Sequence, residues 1–113
     1  MFLPPHEWHE IGLLFANYII RAKGYATVYL GSNVPGTGVA LVAEATVPTD
    51  LLLFYIATRP AEEIKEHLRQ YRQMMPDIKI LVACGEHLLP EKTTTMAITY
   101  LTEVAHLVEY LQA

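Results

Sequence analysis

The sequence predicts an α/β domain built on a parallel sheet with helices on both faces. Three observations carry that prediction. Strand-like apolar segments alternate along the chain with segments of helical period. The apolar segments are continuous runs rather than in-out alternations, as strands buried on both faces require. Single glycines and prolines, not long linkers, separate the segments. The 113 residues suit one domain, and helices between parallel strands serve as its crossovers.

Each element has its own justification. Met1-Phe2-Leu3 is a short first strand, stopped by Pro4-Pro5. Residues 7–23 follow as a helix with apolar positions at Trp8, Ile11, Leu14 or Phe15, Tyr18 and Ile19. It ends at Lys23-Gly24, a cationic last turn followed by a C-cap glycine. Ala26 to Leu30 is β-rich and closes at Gly31, residues 33–38 form a loop, and residues 38–46 form a short helix. Leu51 to Ala57 is a continuous apolar run, the pattern of a central buried strand. Pro60 suits the first turn of a helix over residues 61–75, with Ile64, Leu68, Tyr71 and Met75 on one stripe. Glu62, Glu63, Glu66, Arg69 and Arg72 lie off that stripe. Pro76-Asp77 turns the chain into a strand from Lys79 to Cys84, closed by Gly85. Thr95 to Leu101 reads as the last strand, and Thr102 caps a final helix bearing Val104, Leu107, Val108 and Leu111. The expected architecture is a five-stranded, flavodoxin-like doubly wound sheet in the order 2-1-3-4-5.

Composition removes several function classes. Hydrophobic residues make up 52% and charged residues 18%, so the chain can bury enough apolar surface to offset its ordering entropy and a disordered reading is out. The net charge is −4 with no Lys/Arg run, unlike a nucleic-acid-binding surface. The longest apolar run, Leu51 to Ala57, falls far short of the ~20 residues of a membrane helix. The single cysteine, Cys84, excludes a disulfide framework and a multi-cysteine zinc site. Met1-Phe2-Leu3 running into Pro4-Pro5 does not read as a signal peptide, so a cytoplasmic domain is expected. The sparse charge suggests that some surface is meant to be covered.

In open α/β sheets ligands bind beyond the carboxyl ends of the strands, which selects residues 4–10, 31–38, 57–61 and 84–91. The first of these loops is the richest, Pro4-Pro5-His6-Glu7-Trp8-His9-Glu10. A phosphorylation receiver would need an aspartate ending the third strand, where Ala57-Thr58 stands. No Ser/Thr-rich flavin loop, Walker sequence or GxGxxG follows a strand, and His6-Glu7-Trp8-His9 is one residue short of HExxH. What the loop does support is one imidazole presented at a helix start. A carboxylate two residues before it can fix the ring's tautomer, as partners of metal-bound histidines do. A glycine one turn after it admits a flat ligand close to the backbone.

Glu7-x-His9-x-x-Gly12 resembles the cobalamin-binding signature of an acidic residue, x, His, x, x, Gly. With Glu7 to Leu14 and Tyr29-Leu30-Gly31-Ser32-Asn33-Val34-Pro35 around it, the chain resembles the cobalamin-binding domain of MerR-type, CarH/LitR-like transcriptional regulators. The resemblance implies cobalamin as cofactor, His9 as lower axial ligand of cobalt, Glu7 as its orienting partner and Gly12 as the close-approach position. It further implies a slot for the corrin's nucleotide tail, touched by Trp8, by Ser32, Asn33, Val34 and Pro35, by Ala57 and Thr58, and by Cys84, Gly85 and Glu86. Two departures bear on that slot. The family's Ser-x-Leu/Thr element appears as Ile56-Ala57-Thr58, and its Gly-Gly as Cys84-Gly85.

The expected function is thus that of a ligand sensor rather than an enzyme. Residues 1–113 would be one domain, a C-terminal fragment of a longer regulator. Corrinoid would be its ligand, DNA would be reached only through a separate helix-turn-helix domain, no membrane would be involved, and homo-oligomers are possible partners. Two alternatives stay open: a degenerate self-association module that no longer binds corrinoid, and a corrinoid-carrying subunit of a methyltransferase or mutase.

Overall fold

The computed structural model describes residues 1–85 and 98–112. The elements run α1 (Ile11–Ala22), α2 (Gly36–Thr46), β1 (Asp50–Tyr55), α3 (Ala61–Met74), β2 (Lys79–Cys84), β3 (Ile98–Leu101) and α4 (Val104–Gln112). Among the described residues the sheet has three strands in the order β1-β2-β3. Both pairings are parallel, Asp50 opposite Lys79 through Tyr55 opposite Cys84, and Ile80 opposite Ile98 through Ala83 opposite Leu101. The α/β class and the parallel sheet are as expected.

The expected five-strand order goes beyond the three strands seen among the described residues. The segments at residues 1–3 and 26–31 are not among the strands of the sheet, and lie beside it with isolated bridges from Phe2 to Gly31 and from Phe2 to Leu53. Phe2 N–H donates to Leu52 O (3.0 Å), while the Met1 amino group donates to Val28 O (2.8 Å), Leu30 N–H to Met1 O (2.9 Å) and Leu3 N–H to Gly31 O (2.8 Å). Pro4 and Pro5 have no N–H to extend this pairing.

Continuous apolar strands do serve two cores. Leu51, Leu53 and Tyr55 of β1 pack with Ile80 and Val82 under α2 and α3. Leu52, Leu81, Ala83 and Leu101 face the other way, against Ala16 of α1 and Leu107 of α4. Helix α3 behaves as its pattern predicts, burying Ile64, Leu68, Tyr71 and the following Met75. Pro60 occupies its N-cap rather than its first turn. The start of the expected last strand, residues 95–97, lies outside the described residues, as does Glu86.

Helix α1 departs most from expectation. It begins at Ile11 rather than residue 7, and Trp8 lies in the preceding loop, 63% exposed. Most of the expected inward stripe points to solvent, with Ile11 85% and Tyr18 71% exposed; Ile19 alone of it packs on the core, and Leu13 and Ala16 are buried. Gly12 explains the rotation. A Cβ there would meet the Phe54 ring at 3.2 Å, so the glycine lets the helix backbone lie against β1 along the 12/16 line. The expected C-cap is present, with Gly24 at φ +92°.

Candidate functional site

The carboxyl ends of β1 and β2 are adjacent, Tyr55 opposite Cys84, and the loop leading into α1 lies beside them. That loop is held by its own acid. Glu7 is fully buried (0% exposed). Its Oε1 accepts from the backbone N–H of Ile56 and of Ala57, each at 3.0 Å, and Oε2 accepts from Ala57 at 3.2 Å. Arg59 Nη2 donates to the same Oε1 at 3.0 Å. The guanidinium also reaches Pro5 O (3.4 Å from each Nη) and Glu63 Oε1 (3.6 Å), and stacks 4.9 Å above the Tyr55 ring. A buried carboxylate is stable only when paired and hydrogen-bonded in this way.

The loop is also tied to residues 31–34. Asn33 Oδ1 accepts from His6 N–H (2.9 Å), Asn33 N–H donates to Glu7 O (3.0 Å), and Val34 N–H donates to Leu3 O (2.9 Å). His6 (φ +68°) and Asn33 (φ +53°) both adopt the left-handed region, a strain that these bonds hold in place.

His9 emerges from this braced loop, one residue before the N-cap Glu10, and its side chain is exposed. Its ring nitrogens make no hydrogen bond to the described residues. One turn further on, Gly12 forms part of the wall of an apolar cleft of about 440 Å³ between α1 and α4. Ala16, Phe54, Ala83, Cys84 and Leu101 line it with Gly12. Half-buried Cys84 stands at its side, and burial pushes its thiol up to about 11, so it remains a neutral wall group. No group of three His, Cys, Asp or Glu among the described residues could hold a metal ion.

The comparisons with known proteins bear on this geometry. No family model matches the chain. Over 72 residues, 64% of its length, it is 35% identical to the HTH-type transcriptional repressor CarH of Myxococcus xanthus. That stretch spans 24% of the repressor, about a quarter of its length. The structure superposes on a solved cobalamin-binding protein from Desulfitobacterium hafniense DCB-2 with a TM-score of 0.73 and 17% identity. The match covers 98% of this chain and 55% of that one. The two share a fold. No helix among the described residues is long and apolar enough to cross a membrane.

The structure brings some expected residues together and separates others. Gly12, Cys84 and Gly85 line the cleft. Glu7 and Ala57 meet through a hydrogen bond, but all bonds of the Glu7 carboxylate go to residues 56, 57 and 59, and none to His9. Asn33 and Val34 hydrogen-bond the segment running from Leu3 to Glu7, but none of Ser32, Asn33, Val34 and Pro35 lines the cleft, nor do Trp8, Ala57 and Thr58. Sequence reasoning missed Arg59, although it lies in a loop that the strand-end rule selects.

Tyr55 and His67 were also not singled out. The buried Tyr55 hydroxyl and His67 Nδ1 share a hydrogen bond (3.0 Å), and burial raises that hydroxyl's pKa far above its ordinary value. Burial holds His67 below the ordinary 6.5, against the opposing pull of Glu63. The unfolded chain therefore binds more protons than the folded one just below pH 6.5, and stability falls as pH drops through that region. Urea unfolding at pH 7 and pH 5 should show this loss, and a His67→Gln variant should show a smaller one.

Proposed function

We propose that this chain is the cobalamin-binding, ligand-sensing part of a MerR-type regulator, with His9 as the protein ligand to cobalt. The carrying observation is an unengaged imidazole on a braced loop, one helical turn from Gly12 in the wall of an apolar cleft of about 440 Å³. That volume lies within the ~300–1,000 Å³ of small-molecule sites. A lone histidine suits a metal that arrives already chelated, because no protein-only ligand set accompanies it among the described residues. Bound cobalamin would supply a cobalt ion that an imidazole could ligate. The residues' own tasks are then separate: His9 offers the nitrogen, Glu7 fixes the loop, and the cleft takes an apolar group away from water. The similarity to a transcriptional repressor supports a sensing role, with ligand binding coupled to the state of a separate DNA-binding domain.

The test is uptake of hydroxocobalamin through gel filtration, followed by its visible spectrum. Retained corrinoid with a histidine-ligated spectrum is the expected result. His9→Ala should abolish that signature and weaken binding at least the 10–100-fold that loss of even an outer partner of a metal site brings. No retention by the wild-type chain would reject the reading.

A self-association module without corrinoid is favoured by one feature, the solvent-facing apolar stripe of Trp8, Ile11, Leu14, Phe15 and Tyr18. Elution of the corrinoid-free chain as an oligomer, with no uptake, would select that reading.

A further inference from the structure

We infer that Arg59 is a positioning residue for His9: its planar fork, and not merely its charge, holds the residue 5–7 loop in the place from which the imidazole is offered. The inference rests on the proposed function and concerns a residue that contributes nothing to the cleft wall.

The geometry is specific to a guanidinium. The Arg59 side chain is only 7% exposed and spans three elements at once. Nη2 bonds Glu7 Oε1 (3.0 Å) and Pro5 O (3.4 Å), while Nη1 bonds the same Pro5 O (3.4 Å) and faces Glu63 Oε1 (3.6 Å) on α3. The plane lies over the Tyr55 ring. Its Nε is buried with no partner. A buried N–H left unpaired is costly, so charge neutralisation of Glu7 alone does not account for this placement. A simpler ammonium could neutralise Glu7 without burying an idle donor. What the fork adds is a two-point grip on consecutive parts of one loop, the Pro5 carbonyl and the Glu7 carboxylate, on either side of the left-handed His6. His9 follows two residues later. Metal ligation by one imidazole is sensitive to small displacements of the group that carries it, so loosening the grip should be felt there.

Arg59→Lys separates the two roles, since lysine keeps the charge beside Glu7 and loses the fork. The probe is cob(II)alamin with uniformly ¹⁵N-labelled protein, read by EPR. A nitrogen from the protein splits each cobalt line into a doublet, whereas the corrinoid's own unlabelled base gives a triplet. The wild-type chain should show the doublet. In Arg59→Lys, with unchanged circular dichroism, the doublet share should fall at least fivefold, and Arg69→Lys on the exposed face of α3 should leave it unchanged. An undiminished doublet in Arg59→Lys overturns the inference while leaving the proposed function standing. A wild-type chain that takes up no corrinoid rejects the proposed function instead. In that case amide exchange of the ligand-free protein decides the grip itself: at Ile56 and Ala57, whose N–H groups bond Glu7, exchange about tenfold faster in Arg59→Lys supports it and equal exchange refutes it.

Discussion

Glu7→Ala is expected to destabilise the folded chain by about 3–5 kcal/mol, the cost of removing one partner from a buried ion pair. Glu7 is fully buried, and its carboxylate accepts four hydrogen bonds from three donors: the amides of Ile56 and Ala57 and the Arg59 guanidinium, with Ala57 reaching both oxygens. The alanine variant leaves a guanidinium in a site where its side chain is 7% exposed and turns two strand-end amides toward a void. Single domains are stable by only about 5–15 kcal/mol, so this change alone could unfold a large fraction of molecules. Glu7→Gln keeps one carbonyl acceptor but points an amide donor at Ala57 or Arg59, and should fall between the two. Urea unfolding free energies of the three proteins check the order. A loss below about 1 kcal/mol for Glu7→Ala, the range of a surface pair, would mean that the carboxylate is solvated in solution.

Why this role was not visible in the sequence is instructive. Glu7 stands two residues before His9, and local chemistry therefore pairs the two. Its actual partners lie 49 to 52 residues further on, at the end of β1, and only the tertiary arrangement joins them. The same contrast runs through the helices. The stripe of α3 was legible because Glu62, Glu63, Glu66 and Arg69 mark the opposite face, leaving one side to bury. Helix α1 has no charge before Arg21, so its period fixed no inward side, and the backbone contact of Gly12 with Phe54 decided it. Continuous strands Leu51–Tyr55 and Ile80–Cys84 predicted a doubly covered parallel sheet correctly, since burial on both faces leaves a direct compositional trace. Ladder length leaves none at residues 1–3 and 26–31, where apolar composition coexists with single bridges.

Filling the cleft should uncouple binding from the histidine. Cys84→Trp is expected to reduce cobalamin retention by at least about 100-fold, equivalent to roughly 2.7 kcal/mol, with His9 and its loop untouched. Cys84 is half-buried in the cleft wall beside Gly85, opposite Tyr55 in the ladder, and its thiol has no hydrogen-bond partner among the described residues to lose. An indole there occupies space that an apolar part of the corrinoid needs on the proposed reading, and interiors this dense do not yield room without strain. Cys84→Gly works in the opposite direction: it removes the side chain that departs from the resembling family's Gly-Gly and should tighten binding. The pair of variants separates explanations that His9→Ala alone would leave joined. If both bind as the wild type does, corrinoid is held by the imidazole without entering the cleft. If Cys84→Gly gains affinity while Cys84→Trp loses it, the cleft between α1 and α4 is the receiving slot, and the cysteine tunes how strongly it holds.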